Sequence, residues 1–167
     1  ALNLATVWKL PAIFVFENNG YAEATSSKYS VSCKDIVERA QAFGMPGVVV
    51  DGHDFFAVWE AAREAIERAR SGNGPTLIEV KLNRYYGHFE GDAQTYRAPG
   101  EVDAIRAQRD SLDLFRNRVT EAGLLDIAQM DAIDAEIKRA IESAVVEAKA
   151  AAVPGPADLL TDVYVSY

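Results

Sequence analysis

PAIFVFENNGYAEATSS, Pro11 to Ser27, sets a run of aromatic and β-branched residues directly against an acid, two amides and a glycine. The apolar part, AIFVF (12–16), has the length and composition of a buried strand. Asn and Gly both accept positive φ, so Asn18-Asn19-Gly20 taken alone reads as a simple turn. A strand that stops this abruptly on side-chain oxygens also raises the question of what those oxygens hold.

Two further runs read the same way, GVVVD (47–51) and TLIEVKL (76–82), and all three are expected to be strands buried on both faces. Helical patterns separate them. The first is expected over Ser32 to Phe43, opened by the capping-box-like Ser32-Cys33-Lys34-Asp35. The second runs from Asp54 to Arg70, where Phe55, Trp59, Ala62, Ile66 and Ala69 recur at helical spacing and Gly72 and Gly74 follow its end. The order β-α-β-α-β predicts an α/β fold, a parallel sheet flanked by helices with right-handed crossovers.

Beyond about residue 98 the pattern is helical throughout. Residues 1–98 are therefore read as the α/β domain and 99–167 as a helical extension ending in an arm. Its helices are expected over Glu101 to Ala122 and Asp131 to Ala151, the latter with Ile133, Ile137, Ile141 and Val145 on one stripe that forms an outer layer or a partner surface. VPGPAD punctuates the chain, and LLTDVYVSY alternates as a short terminal strand or extended arm.

Composition limits the partners. The 167 residues are 49% hydrophobic and 25% charged, enough for one sizeable core. The net charge of −8 comes from acids interspersed with Lys and Arg, which argues against nucleic acid. Cys33 is the single cysteine and can form no internal disulfide, and no stretch approaches the roughly 20 apolar residues of a membrane span. The cytoplasm is the simplest compartment. ALNLATVWKLP opens within an amphipathic pattern, with neither a cap nor an initiator Met, so the chain is expected to be a fragment.

In an open parallel sheet, ligands collect beyond the carboxyl ends of the strands. Three loops fall there: ENNGYAEATSSKYS, DGHD and NRYYGHFEGDAQTYR. They carry both histidines, His53 and His88, with Asn18, Asn19, Arg84, Glu90, Asp92 and Arg97. Each has a plainer reading: DGHD as a strand-to-helix turn with Asp54 as N-cap, His88 as a hydrogen-bonded structural residue, the arginines as solvated, Tyr85-Tyr86 as packing. The functional reading rests on their coincidence on one edge. His53, His88, Asp51, Glu90 and Asp92 include no pair at i, i+4 on a helix, the ligand spacing of a zinc shell, whereas Asn side chains and backbone carbonyls suit Mg²⁺ or Ca²⁺ beside a phosphate that Arg84 meets.

FENNGYAEATSS resembles the close of the thiamine-diphosphate motif that begins with Gly-Asp-Gly. GPTLIEVKLNRYYGHFEGDAQTYR resembles the later active-site loop in the α subunit of the first component of 2-oxo acid dehydrogenase complexes. Within that family, YYGHFEGDAQTYR looks most like the members that act on acetoin, ahead of those for pyruvate and branched-chain 2-oxo acids. The resemblance extends over the whole chain, is specific at the two loops and is weak in the outer helices.

This resemblance implies thiamine diphosphate and Mg²⁺ as cofactors. Asn19 through its side-chain oxygen and Tyr21 through its main-chain carbonyl would be Mg²⁺ ligands, with the Asp of Gly-Asp-Gly falling upstream of Ala1. Arg84 would contact the diphosphate, and His88 would lie beside the reactive thiazolium carbon as the catalytic residue. Asp92 and Tyr96-Arg97 would order the loop. It further implies a β subunit completing an α2β2 assembly, a lipoyl-bearing acyltransferase component as acceptor, and a fragment inactive alone. Phe89 stands where some relatives carry a regulatory serine, so phosphorylation there is not expected. Glu23 replaces an apolar side chain, which fits either a different substrate or a shifted loop. Two other classes remain: a nucleotide-binding doubly wound domain, whose Gly-rich loop is missing, and a noncatalytic partner domain with merely solvated loops.

Overall fold

A computed structural model of the chain describes residues 1–161. They fall into two compact units, Ala1–Arg118 and Val119 onward. The first opens with α1 (Leu2–Val7), which has no side-chain cap. The strand β1 (Ile13–Asn18) follows, then a small antiparallel hairpin of β2 (Tyr21–Ala22) and β3 (Thr25–Ser26), which the sequence pattern did not reveal. Short helices α2 (Ser27–Ser30) and α3 (Glu38–Gln41) lead to β4 (Gly47–Asp51), α4 (Phe55–Arg70) and β5 (Thr76–Lys81). The strands form the expected parallel sheet in the order β1-β5-β4, with Val15 opposite Ile78 and Val49 opposite Glu79.

Only β5 is buried along its length. Val15 of β1 is 55% exposed, and Val48 and Val49 of β4 are half open as well, so the expectation that all three strands are buried on both faces holds for the central one alone. The cause is topological: β1 and β4 are the edges of a three-stranded sheet, and the helices reach only part of their length.

Alternation along β5 builds two half-cores. Ile78 and Val80 point to the face covered by α4, where they pack with Val50, Ala61, Ala65 and Ile13. Leu77 points to the other face and packs with Ala40, Met45, Phe14 and Phe16. α4 turns the row Ala61, Ala65 and Ala69 to the sheet, since small side chains permit close approach, while Phe55, Trp59 and Ile66 of the predicted stripe remain largely exposed. Its start is as expected: Asp54 caps it by accepting from the backbone N–H groups of Phe56 and Ala57.

The helix expected over Ser32 to Phe43 shrinks to the four residues of α3, and Ser32-Cys33-Lys34-Asp35 forms no capping box. Stronger partners hold this segment in turns: the Asp35 carboxylate pairs with Lys81, and the Val37 N–H donates to Glu79. The helix expected over Glu101 to Ala122 is two, α5 (Glu101–Arg109) and α6 (Ser111–Glu121). They are divided at Asp110, whose carboxylate accepts from Leu112 N and thereby competes with helix continuation.

In the second unit, α7 (Ile127–Ala150) begins four residues before the expected start, because Asp126 and Gln129 form a reciprocal capping box. Its stripe of Ile133, Ile137, Ile141 and Val145 is exposed. Leu159 and Leu160, expected in a terminal strand, instead close a 3₁₀ turn, Pro156–Leu160; the rest of that expected strand lies outside the described residues. Among the described residues no helix is long and apolar enough to cross a membrane.

Candidate functional site

The site assembles where β1 and β5 end side by side, Asn18 opposite Lys81. Gly20 turns the chain with φ +84°, a conformation glycine adopts without steric cost. The two amides are held differently. Asn18 donates through Nδ2 to Glu79 Oε1 at 2.7 Å and accepts from Gly20 N at 3.3 Å. Asn19 Oδ1 accepts from Tyr21 N at 3.2 Å. A carbonyl oxygen has two lone pairs, so Asn19 keeps one acceptor position. A cleft of about 180 Å³ beside the turn is lined by Asn18, Asn19, Tyr21, Ser30 and Ile36 among others.

The loop after β5 closes over the hairpin. Arg84 reaches across the strand ends and donates through Nη2 to the Glu23 carbonyl at 2.9 Å and to the Tyr96 hydroxyl at 2.6 Å, while Nε donates to the Tyr86 carbonyl. Its Nη1 has no partner among the described residues. Glu23 itself sits at φ 54°, uncommon for a non-glycine residue but the sign that two-residue hairpin loops favour at their first position. Behind Arg84, the almost fully buried Arg97 side chain lies 5.2 Å from the centre of the Tyr21 ring, and the Tyr21 and Tyr96 rings are 5.3 Å apart. Arg97 donates to the Arg84 carbonyl and faces Glu101 at 3.8 Å.

Asp92 organises the tip of this loop. It accepts from the backbone N–H groups of His88 and Gln94 and from the Tyr96 hydroxyl, each at 2.8 Å. These bonds, His88 N–H first, hold its carboxyl below the ordinary aspartate range, with the positive Arg84 adding to the effect. A Cβ on Gly87 would stand 2.6 Å from that of Asp92, so the turn needs a glycine there. His88 is exposed, and its ring makes no hydrogen bond among the described residues.

The structure thus joins Asn19, Tyr21, Arg84 and His88, the residues picked out from the sequence, through the Asn19–Tyr21 turn and the Tyr96–Asp92 pair. His53, on the same edge, is a different case. It is buried, with Nε2 3.0 Å from Asn83 Oδ1 and Nδ1 3.4 Å from Ser111 Oγ, and it ties the loop after β4 to the start of α6. Sequence reading missed Glu79, which anchors Asn18; the available signal was a lone acid inside TLIEVKL. A larger hollow of about 440 Å³ along α4, between Trp59, Ile66 and Arg70, brings no comparable set of polar groups together.

Among the described residues no three His, Cys, Asp or Glu side chains group as a metal shell. The oxygens of Asn19 and Tyr21 are hard donors, of the kind Mg²⁺ takes when a phosphate ligand completes its shell. Arg84 Nη1, without a partner among the described residues, is a donor of the kind a phosphate would take. The residues present therefore fit a Mg²⁺–diphosphate group.

A parallel α/β sheet whose strand-end loops offer amide oxygens beside an arginine defines a class, and comparison identifies it: the family model described as dehydrogenase E1 component matches residues 1–157, and the chain belongs to that thiamine-diphosphate-dependent family. The resemblance carried by the two loops is borne out. The chain is 63% identical over 167 residues to the alpha subunit of acetoin:2,6-dichlorophenolindophenol oxidoreductase from Cupriavidus necator, covering 100% of this chain and 50% of the relative. It is 49% identical over 166 residues to the protein of the same name from Bacillus subtilis, covering 99% of this chain and 49% of the relative. The pyruvate dehydrogenase E1 component subunit alpha of Rhizobium meliloti is 36% identical over 163 residues, 98% of this chain and 47% of the relative. The chain spans about half the length of the relatives it matches.

Proposed function

We propose that the protein containing this chain is the α subunit of a thiamine-diphosphate- and Mg²⁺-dependent dehydrogenase that cleaves acetoin oxidatively in the cytoplasm, acting with a β subunit and passing the acyl group to a lipoyl-bearing acyltransferase. The observation that carries the reading is Arg84: from the end of β5 it reaches the hairpin that follows Asn19 and Tyr21, so one cluster holds a phosphate donor and the cation's oxygens. Acetoin is favoured over pyruvate because the relatives named for acetoin are the more similar ones, 63% and 49% against 36% identical.

In this reading Asn19 Oδ1 and the Tyr21 carbonyl hold Mg²⁺, and Arg84 Nη1 binds the diphosphate. When bound, the cofactor supplies a nucleophilic thiazolium carbon and an electron sink. His88 stands on a turn fixed by Asp92, with a ring free to orient the substrate carbonyl and to give or take a proton at an imidazole nitrogen. Arg97, packed against the Tyr21 and Tyr96 rings, keeps the two loops in register.

The test is dye-coupled turnover by the complete α subunit co-expressed with its β partner, given Mg²⁺ and thiamine diphosphate. Acetoin, pyruvate and 3-methyl-2-oxobutanoate are compared. Preference for acetoin supports the assignment. Preference for a 2-oxo acid overturns the substrate and leaves the cofactor site standing, while turnover that ignores the cofactor overturns both.

A further inference from the structure

Glu79 is the only fully buried carboxylate among the described residues, 0% exposed in the middle of the central strand. By alternation along β5 it shares the face of Leu77, where the neighbours are apolar: Phe14, Phe16, Ala40 and Val37. An acid in such a place is costly unless both its oxygens are hydrogen-bonded. Both are. Oε1 accepts from Asn18 Nδ2 at 2.7 Å, and Oε2 accepts from Val37 N at 2.8 Å. One carboxylate thus joins the end of β1 to the turn that leads into α3, two segments that line the same cleft.

We propose that Glu79 is a positioning residue for the Asn18-Asn19-Gly20 turn, and through it sets where Asn19 and Tyr21 present their oxygens. This rests on the reading of Asn19 and Tyr21 as the cation site. The two Asn side chains divide the work. Asn18 is committed inward to Glu79, which fixes its χ angles and orients its own oxygen towards Gly20 N. Asn19, the first residue past the end of β1, lines the cleft and accepts only from Tyr21 N. Without the carboxylate the Asn18 amide would lose its anchor, and the turn would have two amides competing for Gly20 and Tyr21 N–H groups. The neighbouring tie between Lys81 and Asp35 crosses the same face but engages neither Asn, and so serves as an internal comparison.

The experiment uses the complete α subunit with its β partner and measures Mg²⁺ affinity at saturating thiamine diphosphate, together with the melting temperature. Loss of a group that orients a metal ligand typically weakens metal affinity 10–100-fold. Glu79→Gln and Asn18→Ala are each expected to weaken Mg²⁺ binding on the order of tenfold or more. The double variant is expected to be no worse than the more affected single one, because both changes break the same link. Asp35→Asn is expected to lower the melting temperature with Mg²⁺ affinity unchanged. Unchanged Mg²⁺ affinity in Glu79→Gln, or effects that add in the double variant, overturns the proposal. Should Glu79→Gln not fold, Asn18→Ala decides in the same way: weakened Mg²⁺ binding supports the link and wild-type binding overturns it. A wild-type protein that binds no Mg²⁺ with thiamine diphosphate overturns the cation site itself, and that outcome is separable from failure of the link alone.

Discussion

His53 and His88 lie in loops at the same edge of one sheet, and their surroundings separate them. The first is buried, with a partner at each ring nitrogen, and stitches the loop after β4 to Asn83 and Ser111. The second is exposed on a turn whose backbone, rather than its ring, is held by Asp92. A histidine fully engaged by its neighbours contributes to stability, whereas one on a fixed backbone, with a ring unpaired among the described residues, fits the chemical role proposed for His88. Residue type and topological position are the same for both, so the hydrogen-bond accounting is what separates them.

The sharpest way to break this contrast is His88→Ala in the complete enzyme with its β partner. Loss of a general acid or base costs typically 10²–10⁴-fold in turnover. Turnover is expected to fall by that order while the melting temperature stays at the wild-type value, because the residue is exposed. A large drop in melting temperature would instead make His88 a second His53.

Gly87→Ala probes the turn beneath His88. The added Cβ would meet Asp92 at 2.6 Å, and overpacking of this kind costs about 1–3 kcal/mol. With that strain placed in the loop, cofactor affinity is expected to fall about tenfold, tenfold being 1.4 kcal/mol. Cofactor titration checks it, and wild-type affinity would show that the loop's shape is irrelevant to binding.

His53→Ala should show the reverse of the His88 result. It leaves Asn83 and Ser111 without their partner, at a cost of about 1–3 kcal/mol in stability. Denaturant unfolding is expected to register that loss, with turnover per folded molecule close to wild type.

The smallest effect is the response to acid. Asp92 has its carboxyl held below the ordinary 3.8 by the His88 and Gln94 N–H groups, the Tyr96 hydroxyl and Arg84. Between that ordinary value and the lower folded one, the unfolded chain binds more protons, so the contribution rises with pH. It is fully present above the ordinary value and is lost as pH falls through the folded one. Amide exchange in the loop from Gly87 to Arg97 is expected to accelerate only in acid below about pH 4. In Asp92→Asn it should be fast already at neutral pH; acceleration of the wild-type loop near pH 6 would point to a histidine instead.

Much of this was legible in the chain. Three β-branched runs at βα spacing determined a parallel α/β sheet, and Asp54 ahead of an apolar periodicity determined where α4 begins, because both rest on local pattern. Asn19, Arg84 and His88 could be placed on one edge because strand ends concentrate ligand-binding groups, and it was the family resemblance that narrowed that edge to these residues and added Tyr21. Tertiary structure decided the rest. Lys81 and Glu79 captured Asp35 and Val37 and so cut short the expected helix over Ser32 to Phe43, a competition between segments more than 40 residues apart. It was also tertiary structure that turned the alanines of α4 inward and left Trp59 outside, since the depth of contact with the sheet, rather than hydrophobicity, selects the face. The division between the two histidines, and the burial of one glutamate beneath the Asn pair, depended on which side chains met across the sheet, and hydrogen bonds between distant residues leave no periodicity in a sequence.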